Sequence, residues 1–241
     1  MIEYNNQLTI LFEIWKNKRG YSEYTFVNDG LMRSQENVDE LWHKSKRKIA
    51  FLMKDKSDGS CDDVRDWLKD NDNQNNQMNR RMGNTLFRNI GNILYGLYHD
   101  ECDYNNVVDN EQVVVDLLSV PFAYIECKKE AGHGELKTPV LQEYLRNDRD
   151  FLQMELAILK PNMIVCSGWP INIFVKEMYP QEELYVMSNN LSYHPQSNTV
   201  ILLGYHPTAW SIPQKGHFYG VMSHYEKFLQ TDYGHQFLDR L

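Results

Sequence analysis

Three short stretches of this 241-residue chain place reactive residue types where a ligand could reach them. In KIAFLMKDKSDG, residues 48–59, the apolar run Ile49-Ala50-Phe51-Leu52-Met53 stops at Lys54, Asp55, Lys56, Ser57 and Asp58. Asp55 is either a working carboxylate, able to stabilise a developing cation and orient a water, or a loop residue paired with Lys54 or Lys56. In FAYIECKKEAG, residues 122–132, Glu126 precedes Lys128 and Lys129. Ionised, Glu126 can only accept hydrogen bonds; protonated, it can also donate one; a salt bridge to Lys128 or Lys129 is its purely structural use. In GYHPTAWS, residues 204–211, His206 is followed by Pro207, Thr208 and Trp210. A neutral imidazole there can donate to a developing oxyanion, or it is a histidine satisfied at a strand end.

The elements that would position these residues are legible as four continuous apolar runs with β-branched or aromatic content: 48–54, 121–127, 162–168 and 199–207. Helical patterns lie between them. One carries Met82, Leu86, Ile90, Ile93 and Leu97 on a single stripe; another repeats Leu141, Leu145, Leu152, Leu156 and Leu159 and ends before Pro161. Strands alternating with helices predict an α/β chain, a three-layer α/β/α sandwich with a central four-stranded parallel sheet. In such sheets ligands bind beyond the carboxyl ends of the strands. That is where KDKSDG, ECKKEAGHG, GWP and HPTAWS fall.

The order of these motifs resembles the uracil-DNA glycosylase superfamily. ILKPNMIVCSG is similar to its Leu-Lys-Pro, apolar strand and small-Gly signature, and GYHPTAWS resembles its His-Pro-Ser motif. The resemblance spans about residues 48–215. It implies catalytic roles for Asp55 and His206, with the carboxylate facing an oxocarbenium-like sugar and the imidazole facing the leaving base. It implies substrate contacts from Lys54, Ser57, Phe87, Glu126, Pro207 and Thr208. Trp210 would be a wedge or stacking platform, and Lys56, Lys128, Lys129 and Lys215 would meet phosphates. The first motif departs from the family: Lys54 and Ser57 stand where it has Gly and Pro, and Lys56 stands where its best-known branch has the catalytic Asp. Glu126 stands where the family has an Asn that reads the base. Ionised Glu126 would suit two adjacent donors, as on guanine, or an exocyclic amine, whereas uracil needs one donor and one acceptor. Phe87 also fits the apolar stripe of its helix, which favours core packing, and Trp210 could equally fold back onto the domain.

Bulk properties narrow the classes further. A net charge of −8 argues against a generalised nucleic-acid binder, so a phosphate partner needs a local cluster. Lys54, Lys56, Arg80, Arg81, Arg88, Lys128, Lys129, His133, Lys215 and His217 are expected near the carboxyl ends; Lys44, Lys46, Arg47 and Lys48 are expected as a solvated patch at the other end. Cys61, Cys102, Cys127 and Cys166 lack C-x-x-C spacing and read as separate thiols. No cofactor or metal is expected. The N-terminal stretch reads as an amphipathic helix rather than a signal peptide, no run is long enough to span a bilayer, and a cytoplasmic location is expected. The expectation is a single domain over 1–241, with a core at about 46–230 and a helical extension at 1–45. Its function would be a monofunctional glycosylase hydrolysing the N-glycosidic bond of a flipped or single-stranded base, with DNA favoured over RNA. The alternative is a non-catalytic nucleic-acid or nucleotide binding module on the same fold.

Overall fold

A computed structural model describes residues 3–55, 63–69, 85–132 and 136–241. Lys56, Ser57, Asp58, Cys61, Arg80, Arg81, Met82 and His133 lie outside the described residues. In chain order the described helices and strands are α1 (Tyr4–Arg19), β1 (Gly30–Leu31), α2 (Val38–Lys44), β2 (Ile49–Asp55), α3 (Thr85–His99), α4 (Glu111–Ser119), β3 (Phe122–Lys128), α5 (Thr138–Asn147), α6 (Arg149–Leu159), β4 (Met163–Ser167), α7 (Trp169–Lys176), β5 (Tyr185–Ser188), β6 (Leu191–His194), β7 (Thr199–Gly204), α8 (Gln214–Leu229) and α9 (Asp232–Asp239).

The four apolar runs become β2, β3, β4 and β7, which pair parallel to one another in the order β3-β2-β4-β7. The sheet is wider than the expected four strands: among the described residues it has seven, in the order β1-β3-β2-β4-β7-β6-β5. β1 joins β3 antiparallel, and the β5–β6 hairpin joins β7 antiparallel. The expected fourth strand stops at Gly204, so Tyr205, His206 and Pro207 leave the sheet as a turn.

Side chains on a strand alternate between faces. Phe51, Met53, Tyr124, Val165 and Leu202 therefore pack into one core with residues of α3, α4, α8 and α9. Ala50, Leu52, Ile125, Cys166 and Ile201 pack into a second core with residues of α1, α2, α5, α6 and α7. Two apolar faces, each covered by helices, explain why these strands read as unbroken hydrophobic runs. Residues 1–45 are less an extension than a working part of this arrangement. Leu8, Phe12 and Trp15 of α1 are fully buried, Trp15 stacks on Phe151 at 5.0 Å, and β1 belongs to the sheet.

The leucine pattern from 141 to 159 suggested one helix, but the chain breaks into α5 and α6 at Asp148. Asp148 is buried and leaves the helical conformation (φ −103°, ψ 12°), with its carboxylate 2.8 Å from Arg19 Nε and accepting from the Tyr21 hydroxyl at 2.8 Å. An ion pair with a partner distant in sequence overrides the periodicity. Arg47 likewise departs from the expected solvated patch. Its guanidinium is ion-paired to Asp100 at 2.6 Å and donates to the Leu97 carbonyl at the end of α3.

Candidate functional site

The carboxyl ends of β2, β3, β4 and β7 gather Asp55, Glu126, Lys54 and His206. By the two-residue alternation, Asp55 shares a face with Met53, and it pairs across the sheet with Lys128. Gly132 lies close to the carboxylate: a β-carbon there would sit 2.9 Å from Asp55 Oδ2, so a side chain at this position would push the carboxylate aside. Burial pushes the Asp55 pKa above the usual carboxylate range; Lys128 and Lys54 oppose this without cancelling it. Lys54 leans to the other face. Its Cε lies 3.5 Å from where Gly168 would carry a β-carbon, at the strand-to-helix turn where Gly168 adopts φ +123°.

His206 sits just past β7, half-buried. The Thr208 backbone N–H donates to its Nδ1 at 3.3 Å, and the Thr208 hydroxyl lies 2.9 Å from the same atom. Nδ1 is therefore the acceptor, and the ring proton belongs on Nε2. Burial lowers the pKa to about 4, with Lys54 and then His217 adding to the effect, so the ring is neutral at pH 7. Thr208 thus orients the ring from the turn it shares with His206. Pro207 is buried and its carbonyl accepts from Asn89 Nδ2 of α3 at 2.7 Å, fixing the turn from beneath.

Glu126 is 1% exposed. One carboxyl oxygen accepts from the Tyr124 hydroxyl at 3.1 Å, while the other has no hydrogen-bond partner. Its backbone N–H donates to Asp29 Oδ2 at 2.6 Å. Burial, with help from Asp29 and Asp55, raises its pKa to about 8, against the smaller opposing pull of Tyr124 and Lys129. At neutral pH it is a carboxylic acid, able to donate as well as accept. The salt bridge to Lys128 or Lys129 that the sequence allowed does not form.

Several expected contact residues prove to be structural. Lys129 faces the second core, not solvent. It is 0% exposed, bonds Asp29 at 2.6 Å and Glu155 at 2.9 Å, and lies over the rings of Phe12 and Trp15 at 5.0 and 5.3 Å. Strand alternation is the reason: Lys128 shares a face with Glu126, and Lys129 turns away from it. Burial opposes the Lys129 charge, but Asp29 and Glu155 outweigh it and hold its pKa above the ordinary value. The Glu155 pKa is raised by burial and by Asp29. Lys128 is buried too, donating to the Glu130 carbonyl and lying 5.1 Å from the Tyr144 ring, so neither lysine presents a phosphate contact. His217 is buried, with Nε2 against the Ala209 carbonyl at 3.2 Å and Nδ1 unpartnered; burial lowers its pKa. Phe87 is a core residue, edge-on to Trp67 at 6.4 Å. Lys215 stays exposed on the first turn of α8, and Trp210 stands almost wholly in solvent.

Sequence reasoning did not single out Asp29, which holds Glu126 and Lys129 together, nor Tyr124, Asn89, Trp169 or Tyr205. Tyr124 lies two residues before Glu126 and so on its face, a spacing the sequence does display. Asp29 carries no such mark, because its partners lie about a hundred residues away. Among the described residues no group of three or more His, Cys, Asp or Glu side chains could hold a metal ion, and no helix is long and apolar enough to cross a membrane. Cys102, Cys127 and Cys166 are free thiols. A cleft of about 460 Å³ lined by Leu156, Lys160, Ile164, Tyr179 and Thr199 lies at the amino ends of β4 and β7, away from Asp55 and His206. Comparison with family models, curated proteins and solved structures returned no match.

Proposed function

We propose that the carboxyl-end site is a nucleobase site and that the chain hydrolyses N-glycosidic bonds, as its resemblance to the uracil-DNA glycosylase superfamily implies. The observation that carries this reading is the placement of Asp55, Glu126 and His206 at the carboxyl ends of β2, β3 and β7 of one sheet, with β4 between the first two and the third. Asp55 is the carboxylate beside the reacting sugar, where it stabilises positive charge and orients water. His206 is neutral with its proton on Nε2, the form that donates to a leaving base as negative charge develops on it. Glu126 is a protonated acid with one unpartnered oxygen; it is 1% exposed, so a base reaches it only if the residues over it move aside, and it then offers the donor-plus-acceptor pair of an amide.

That last point favours one of the edges Glu126 could read. A neutral carboxyl matches a base presenting one acceptor beside one N–H, as uracil does, and loses its advantage for the two-donor edge of guanine. The substrate is therefore a base with an O4/N3–H-type edge, unpaired or flipped out of its helix. The test is base release from oligonucleotides carrying uracil, hypoxanthine, xanthine or the normal bases, with Asp55→Asn as control. Release of a uracil-type base that disappears in Asp55→Asn supports the reading. DNA binding with no release from any substrate would replace it with a binding module.

A further inference from the structure

Exposed aromatic rings are concentrated beside the candidate site. Trp210 is 95% exposed, Tyr24 82%, Trp169 52% and Tyr205 50%. Each belongs to a carboxyl-end loop. Tyr24 precedes a segment that runs antiparallel past the end of β3, with Val27 N–H donating to the Lys129 carbonyl and Ala131 N–H to the Thr25 carbonyl, both at 2.7 Å. Trp169 is the first residue of α7, directly after β4 and Gly168. Tyr205 and Trp210 follow β7. The rings therefore flank Asp55 and His206 along the sheet edge from β3 to β7. That is three strand spacings, or about 14 Å.

Tyr205 shows that at least one ring is held in place. A β-carbon on Gly220 of α8 would lie 3.1 Å from its Cδ2 and Cε2, and its ring meets His217 edge-on at 6.1 Å, leaving half of it in solvent. Among the described residues, Lys54, by Gly168, and exposed Lys215 border the row. A row of exposed rings suits a ligand that offers aromatic faces. Bases of a duplex have their faces already covered by stacking, whereas unpaired bases offer both faces.

We infer that Tyr24, Trp169, Tyr205 and Trp210 form a stacking rail for single-stranded nucleic acid, which feeds an unpaired base to the site between them. This rests on the nucleobase reading of that site, yet it is tested by binding and not by turnover. The measurement is intrinsic tryptophan fluorescence of the full chain during titration with oligodeoxythymidine, and with a blunt duplex of equal length. Trp15 and Trp42 are fully buried and supply a steady background, whereas half-buried Trp67 packs against Phe87 and Tyr124, so the quenching lost in Trp169→Ala and Trp210→Ala is what reports on the exposed indoles.

Expected is quenching by the single strand, with much weaker binding of the duplex. Trp169→Ala and Trp210→Ala should each weaken binding by about 5- to 100-fold, with unchanged circular dichroism, since both side chains are exposed. Lys54 and Lys215, if each meets a phosphate, contribute about −1.4 to the slope of log K against log salt. Equal loss for oligouridine would support the rail and widen it to RNA. Duplex bound as tightly as single strand, or alanine variants that bind like the parent, would overturn it. Stacking without base release would leave the rail standing and remove the hydrolase reading; base release indifferent to both tryptophans would do the reverse.

Discussion

Glu126 offers the sharpest perturbation, because one substitution separates its two charge states. In an unfolded chain this carboxyl titrates near 4.5, whereas burial, with Asp29 and Asp55 nearby, holds it at about 8 in the folded protein. Between those values the folded state keeps a proton that the unfolded state has released, so stability falls as pH rises through that window. At about 1.4 kcal/mol per unit the full penalty has a ceiling on the order of 5 kcal/mol by pH 8. Relaxation of the site lowers the share that is measured. Glu126→Gln keeps the shape and the donor-plus-acceptor pair while removing the titration. Its unfolding free energy relative to the parent should therefore improve by several kcal/mol between pH 5 and pH 8 in parallel urea titrations. Activity should follow the same logic. The parent is neutral at Glu126 by about ten to one at pH 7 and ionised by about the same ratio at pH 9, so base release should decline about tenfold per unit above pH 8. Glu126→Gln should hold its rate across that range. A stability difference between the two proteins that is the same at pH 5 and pH 8 would mean that Glu126 is already ionised, and the donor role assigned to it would fall.

Other outcomes follow from the same geometry. Asp55→Asn should lower base release by about 10²- to 10⁴-fold while leaving oligonucleotide affinity within a few-fold, as read in paired kinetic and binding titrations. His206→Ala should cost about 10²- to 10³-fold in rate, and the parent's pH–rate profile should show no histidine titration between pH 5 and 8, since His206 is held at about 4. Gly132→Ala places a β-carbon 2.9 Å from Asp55 Oδ2 and must shift the carboxylate by a few tenths of an ångström, so the rate should fall by up to about tenfold with little change in melting temperature. Lys129→Met leaves Asp29 buried without its counter-charge and should cost about 3–5 kcal/mol of stability by urea unfolding.

The strands and the end of the sheet that carries the site were legible because hydrophobic continuity is local. Runs such as IAFLM and MIVCS need both faces covered, and that requirement alone predicts a buried parallel sheet. The β5–β6 hairpin escaped because its runs, YVMS and LSYH, are four residues long and mix polar with apolar positions; the Asn189-Asn190 pair between them was its only turn signal. Asp55 and His206 stood out because a charge or an imidazole directly after an apolar run is a local contrast. Lys129 was misjudged for the opposite reason. Neighbouring lysines look alike in sequence, and only the register of β3 sends one toward Glu130 and the other into a core of Phe12 and Trp15. The break at Asp148 and the protonation of Glu126 were out of reach, because the residues that impose them, Arg19, Tyr21 and Asp29, are far away in the chain.

The bonds that tie Asp29 to Lys129 and to the backbone of Glu126 also set a timetable for synthesis. Asp29 emerges 100 residues ahead of Lys129, which at about 5–20 residues per second is an interval of about 5–20 s. Glu155 follows later still, and His206 after that. Throughout this interval Asp29 has no cation to accompany it into the core, and α1 lacks the surface of α6 that Trp15 stacks upon. On the ribosome, the first helix must therefore wait with an apolar face exposed, and the site it supports closes only when the last third of the chain arrives.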